Sequence, residues 1–430
     1  MKNTILRDYQ QLAVDKALKA YTDKHRGFLC GDKMGLGKTI IALKIVEELS
    51  MRHNLVGVVC PAFLVPVWRR EITERCDDDR KYKFALYSYS ELSDPQVLAH
   101  AKSVHYDIVI FDEVHYAKSY KAARTAATLG KSGLHLAADK LLALSGTWPP
   151  NNIGDCYMWL NAARSPLARH GFEEFCREFA ASAYRNNFGL QVSGFKPNER
   201  WYEHFAPVYI GRDIDDVTGE IPEGLRIDFT VDIPKAVEQA EIKLFGKILD
   251  DPELMRRAIE AAPSFDALTE FRKMQGVAKV KSVIDYTLAA WEDNERKMVI
   301  FTYHTEVADK IFSGLMKKHL PCTLITGTNT KPEERDAIVQ AENKKDESII
   351  IATIDALKEG VTATGFSLTL FAEIDWRAWA LEQCEGRTRR IGQLKNVRWV
   401  YFRFSKGVDK MMGRIIKEKK ALASAVRATA

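Results

Sequence analysis

The chain has 430 residues, 46% hydrophobic and 10% aromatic, with a formal net charge of +5. It is too long for one core and too apolar for a disordered or collagen-like protein, so two or three ordinary globular domains are expected. From Gly386 onward, 13 Lys/Arg face only Asp409 and Glu418, so a basic end follows a net acidic remainder. A polyanionic partner and a merely solvated basic helix are the two readings of that end.

The start, MKNTILRDYQQLAVDKAL, has no apolar leader, and the longest uncharged run, LVGVVCPAFLVPVW at 55–68, is short and broken by Pro61 and Pro66. A soluble chain with no membrane segment is expected. The seven cysteines form no C-x-x-C pair, which argues against structural zinc and disulfides and for a reducing compartment. The cytoplasm of a bacterial or phage-infected cell fits, or the nucleus if the source is eukaryotic.

In chain order, short apolar runs alternate with amphipathic ones: 26–30 then 39–50, 54–60 then 65–76, and the apolar runs 106–113 and 140–146. The rhythm predicts a parallel sheet with crossover helices. It returns as 296–304 then 306–319, 322–327 then 331–342, 348–353, 367–374 and 397–404. Two α/β lobes are predicted. The first is 1–232 with a helical protrusion at about 153–205, and the second is 233–430 with another at about 235–275. The boundary is set at the Pro234 turn, where a strand-like run ends and a helix-like one begins. Within the protrusion FEEFCREFAASAYRNNF reads as a packed amphipathic helix, and an extended interruption follows near VSGFKPNERWYEHF. Apolar positions at 408, 411, 412, 415, 416, 422 and 426 predict a C-terminal helix with its basic residues outward.

Three stretches carry chemistry. GDKMGLGKTI, 31–40, follows an apolar run and opens a helix, as a phosphate loop does. Gly35 and Gly37 would let backbone N–H groups approach the phosphates, Lys38 would contact the β and γ phosphates, and Thr39 would ligate Mg²⁺. Asp32 stands where GxxxxGK[ST] has glycine. YDIVIFDEVH, 106–115, ends a buried-strand pattern in two acids: Asp112 for the Mg²⁺ shell and Glu113 to orient or deprotonate water. QCEGRTRRIGQ, 383–393, supplies Arg387 and Arg390, three apart and so on one face of a helix, as cations for developing γ-phosphate charge.

With these elements in this order, the sequence resembles superfamily 2 helicase-like ATPases of the Swi/Snf family, nearest the annealing-helicase, fork-remodelling branch. The resemblance implies two RecA-like parallel-sheet lobes in tandem, with ATP and Mg²⁺ as cofactors and duplex or branched DNA as partner, bound by a monomer. LRDYQ at 6–10 resembles the adenine-reading motif, implying nucleotide contacts for Arg7 and Gln10; Leu36 joins the phosphate loop. DEVHYAKS and LSGTWPPNN resemble motifs II and III, making His115, Ser145 and Thr147 coupling residues, with Trp148 in place of the usual proline. IIATIDALKEGVT resembles motif V, with Gly360, and the QxxGRxxR of motif VI is met by Gln383, Gly386, Arg387 and Arg390. IGRDIDDV at 210–217 keeps only Arg212 of the family's basic residues there.

The resemblance also implies that lobe closure completes hydrolysis and moves the protein along a strand. Candidate backbone grips are Trp68 and Arg69 near motif Ia, Lys118 and Ser119 after motif II, and Thr362 and Thr364 at motif V. Backbone gripping is salt sensitive and nearly sequence independent. A DNA-dependent ATPase translocating on duplex DNA is the expected activity; a strand-separating DNA or RNA helicase and a nucleotide-gated clamp with little turnover are the alternatives.

Overall fold

The computed structural model describes residues 5–49, 51–76, 82–119, 122–149, 151–186, 189–217, 221–246, 266–358 and 360–429. Eight strands come first: β1 (Gly27–Cys30), β2 (Leu55–Cys60), β3 (Lys83–Ser88), β4 (Tyr106–Asp112), β5 (Ala138–Leu144), β6 (Ser182–Asn186), β7 (Gly189–Ser193) and β8 (Tyr209–Ile210). Six of them form a parallel sheet in the order β3-β2-β4-β5-β1-β8. β4 is buried along its whole length because helices cover both faces of such a sheet. The two-residue period sends Ile108 and Ile110 into one hydrophobic core and Val109 and Phe111 into the other.

The second sheet uses β9 (Gly224–Val231), β10 (Lys297–Thr302), β11 (Cys322–Ile325), β12 (Ser348–Thr353), β13 (Leu368–Phe371) and β14 (Val397–Phe404). Its order is β11-β12-β10-β13-β14-β9, again all parallel. Its core includes the β-branched run Ile349, Ile350 and Ile351 of β12. The chain is thus an α/β protein with two parallel sheets.

The lobe boundary expected at 232/233 is corrected by the pairing of β9. The two units are Met1–Thr218 with Ala421–Ala430, and Gly219–Lys420. β9 matches β14 residue for residue, from Gly224 opposite Val397 to Val231 opposite Phe404, so this strand belongs to the second sheet and the Pro234 turn lies inside that unit. The last residues belong to the first unit: Val426 is part of its core, and the Trp201 indole N–H donates to the Thr429 hydroxyl at 2.9 Å.

The insert at 153–205 is not wholly helical. Helix Phe172–Phe179 buries Phe175, Cys176 and Phe179 and stops at Ala180, whose backbone is extended. The next residues form the antiparallel hairpin β6-β7. The segment read as extended near 192–205 holds helix Glu199–Phe205, capped by the Asn198 side chain, which accepts the Trp201 N–H. In the insert at 235–275, helix Lys235–Phe245 is followed by 247–265, outside the described residues, and by helix Asp266–Glu292, which runs past 275 without a break. In helix Gly407–Arg427 the apolar side turns inward as expected, but two basic residues do too: Lys419 lies over the Trp376 ring and Lys420 faces Glu382 and Glu385. Among the described residues, no helix is long and apolar enough to cross a membrane. Among the described residues, no disulfide joins any of the seven cysteines.

Candidate active site

β1 is four residues long and wholly buried, so the chain leaves the sheet abruptly into the loop 31–37 before helix Lys38–Glu48. Gly35 and Gly37 sit at φ +85° and +81°, a region that favours glycine. No side chain caps the helix at Gly37, so its first N–H groups remain available to an anion. Lys38 Nζ donates to the Asp32 carbonyl at 2.9 Å, folded back across the loop's own backbone.

Two side chains brace this loop. The Gln10 amide donates to the Leu36 carbonyl at 3.1 Å and accepts the Arg7 N–H at 3.1 Å, and a Cβ on Gly37 would lie 2.5 Å from Gln10 Nε2. Asp32 is fully buried and held by Arg212, whose Nε and backbone N–H donate to Oδ1 at 3.0 and 3.1 Å while its second nitrogen reaches Oδ2. Arg212 also donates to the Tyr9 carbonyl and lies over the Tyr9 ring. The departure from glycine at 32 and the lone Arg212 are therefore one feature, an ion pair tying β8 to the phosphate loop. Sequence reasoning noted both residues separately; their shared oddity was the available signal.

β4 delivers Asp112 and Glu113 at the same sheet edge. Asp112 Oδ2 accepts the Trp68 indole N–H at 2.8 Å, and Oδ1 accepts the Glu113 N–H at 3.0 Å. Burial, then the neighbouring Glu113 charge, push the Asp112 carboxyl well above the usual carboxylate range. Glu113 has φ +51°, a left-handed backbone costing a non-glycine residue about 1–2 kcal/mol. That turn brings Glu113 Oε2 within 3.2 Å of His115 Nδ1, which also lies 3.2 Å from Ser145 Oγ and 3.4 Å from Thr147 Oγ1. Gly146, between those two hydroxyl residues, is close enough that a Cβ there would meet Lys38 Nζ at 3.2 Å.

Trp68 is 1% exposed and spent on Asp112, which corrects its reading as a DNA grip: the amphipathic turn of helix Val65–Arg75 points it into the sheet. Arg69 and Ser119 are exposed, and Lys118 faces Asp155 at 3.9 Å.

In the second unit, helix Ala378–Thr388 ends before Arg390, so the expectation of two arginines on one helical face is corrected. They converge instead on the segment 358–362. Arg387 donates to the Lys358 and Val361 carbonyls at 2.9 and 3.0 Å, and Arg390 to the Thr362 hydroxyl at 2.9 Å. Gly360 has φ +76°, and Thr364 is half-buried. Gln383 is fully buried with no hydrogen-bond partner for its amide among the described residues.

Two family descriptions match this chain: "SNF2-related domain" over residues 9–80 and "Helicase conserved C-terminal domain" over 278–392. A Caenorhabditis elegans homolog of SWI/SNF-related matrix-associated actin-dependent regulator of chromatin subfamily A-like protein 1 is 27% identical over 91% of this chain and 58% of its own length. The human DNA annealing helicase and endonuclease ZRANB3 is 24% identical over 91% of this chain and 38% of its own. The chain therefore spans between about two fifths and three fifths of these relatives. A solved Sulfolobus solfataricus SWI2/SNF2 ATPase core in complex with dsDNA aligns with 99% of this chain and 94% of that one, at 16% identity and a TM-score of 0.44. The SNF2-related match thus falls on the first parallel sheet and the helicase C-terminal match on the second, so the two lobes are similar to the two parts of a Swi/Snf-type helicase-like protein, in that order.

Proposed function

We propose that this chain is a DNA-dependent ATPase that converts hydrolysis into movement along duplex DNA, for remodelling, strand annealing or protein displacement. The observation that carries the reading is an uncapped glycine loop with Lys38 folded across it, together with the linked set Asp112, Glu113, His115, Ser145 and Thr147. ATP phosphates suit the free N–H groups at the start of helix Lys38–Glu48, with Lys38 Nζ leaving the Asp32 carbonyl for a phosphate oxygen. The Thr39 hydroxyl and Asp112 carboxylate would supply oxygen donors, the chemistry that fits Mg²⁺; the ion would neutralise phosphate charge. Glu113, held by His115, orients water and takes its proton. Through Ser145 and Thr147, His115 links the state of that acid to the segment after β5. Arg387 and Arg390 are assigned to turnover rather than nucleotide binding, and Arg69, Lys118, Ser119, Thr362 and Thr364 to the DNA backbone.

The test is steady-state ATP hydrolysis without nucleic acid and with duplex, single-stranded, forked DNA or RNA, alongside Lys38→Ala and Arg387→Ala. Duplex stimulation, lost by about 100-fold or more in both variants, is the expected result. Stimulation by single strands or RNA alone would favour a strand-separating enzyme. Negligible turnover with every polymer, despite intact ATP and DNA binding, would leave a clamp.

A further inference from the structure

At the amino-terminal ends of β1, β4 and β5, the sheet edge opposite the phosphate loop, the first unit has a cavity of about 600 Å³. That is within the range of small-molecule sites. Gly27 opens β1, Ala138 opens β5, and His105 immediately precedes β4. Lys24, Arg26, Lys140 and Arg164 line it together with His25, His105 and His204, against a single carboxylate, Asp139, which His105 already engages at 2.9 Å.

Three of these cations lack the ionic partners that a structural role would give them. Among the described residues, Lys24, Lys140 and Arg164 form no ion pair; Lys140 only lies over the Tyr21 ring. Arg26 uses three of its five N–H groups on the carbonyls of Ala162, His135 and Ala138, leaving two. Burial, then repulsion from Arg164, push its guanidinium down to about 10, as like charges sharing a half-enclosed space must.

Lys24 and Arg164 have φ +67° and +57° just past the ends of helices Asp8–Thr22 and Tyr157–Ala162. In each case the next N–H closes back on the helix, His25 to the Ala20 carbonyl and Ser165 to the Leu160 carbonyl, at a position where glycine is the usual choice. The helix dipole favours one cation at each such end, but it leaves Lys140 and the two spare N–H groups of Arg26 unaccounted for.

We propose that this cavity binds a small phosphate-rich anion, at a site separate from the phosphate loop. A compact polyanion enters a concavity of this size and meets four cations at once, whereas a duplex presents its phosphates one at a time along a convex surface.

The probe is tripolyphosphate, titrated calorimetrically into the 430-residue Lys38→Ala chain so that the phosphate loop does not compete. Binding is expected there, weakened at least 10-fold when Lys140→Ala and Arg164→Ala are added, with the ligand-free melting temperature of the triple variant kept or raised because repelling charges are gone. Pyrophosphate and ADP arms distinguish free polyphosphate from a nucleotide-borne one; binding of either supports the site. Loss of all binding in Lys38→Ala, equal affinity after the two further substitutions, or displacement of tripolyphosphate by a short duplex would overturn the proposal.

Discussion

Each sheet has a strand that runs through a short connection into a helix, and the two connections treat their exposed backbone N–H groups in opposite ways. After β1 the helix start is uncapped and its glycines keep the approach open. After β10 the Tyr303 and His304 N–H groups both donate to Glu373 Oε2 at 2.9 Å, and His304 Nδ1 lies 2.6 Å from Oε1. Gly276 makes room for that carboxylate, since a Cβ there would lie 2.3 Å from Glu373 Oε1. The same local geometry attracts an anion in both units, and in the second the chain supplies that anion itself.

The strongest way to break that contrast is Arg212→Ala. It strands the buried Asp32 charge beside the open loop and should cost about 3–5 kcal/mol, with weakened nucleotide binding, seen by urea unfolding and nucleotide titration. An unchanged midpoint would mean the loop does not depend on the pair.

Glu385→Gln tests a pH contrast between the units. Glu385 is buried, which by itself raises its pKa, but Lys420, Arg226 and the Tyr401 hydroxyl hold it down at about 2 against an ordinary 4.5. Its stabilisation is complete above pH 4.5 and disappears as pH falls towards 2, a loss of up to about 3 kcal/mol that the Gln variant should not show. Asp112 behaves in the reverse sense. Its raised carboxyl makes ionisation work against folding as pH climbs past the usual carboxylate range.

Glu373→Ala removes the internal anion and should cost about 2 kcal/mol in stability while leaving ATP affinity intact. A parent-like unfolding curve would contradict the filled-site reading of the second unit. The smallest effect is expected from Trp68→Phe, about a 10-fold fall in hydrolysis near neutral pH. The lost N–H favoured ionised Asp112, so the acidic limb of the rate profile should move to higher pH.

Much of the fold was legible because fully buried strands such as β4 and β12 read as unbroken apolar runs between turns. β3 escaped notice because it is an edge strand, partly exposed along most of its length, and its residues mix polar and apolar. β9 was recognised as extended but assigned to the wrong side of the boundary, since its partner β14 is more than 160 residues away and pairing at that range leaves no local trace. At the site, loop glycines and the acid pair announce themselves by spacing. The Trp68–Asp112 bond and the Asp32–Arg212 pair join residues 44 and 180 positions apart, and only folding shows them to be partners.

The Trp68 contact also gives the protein an optical handle. An indole whose N–H donates to a carboxylate changes its emission when that carboxylate gains a proton or a metal ion, and Trp68 is one of eight tryptophans. The difference between the spectra of the parent and the Phe variant isolates its signal, so protonation of Asp112 can be followed without any added label.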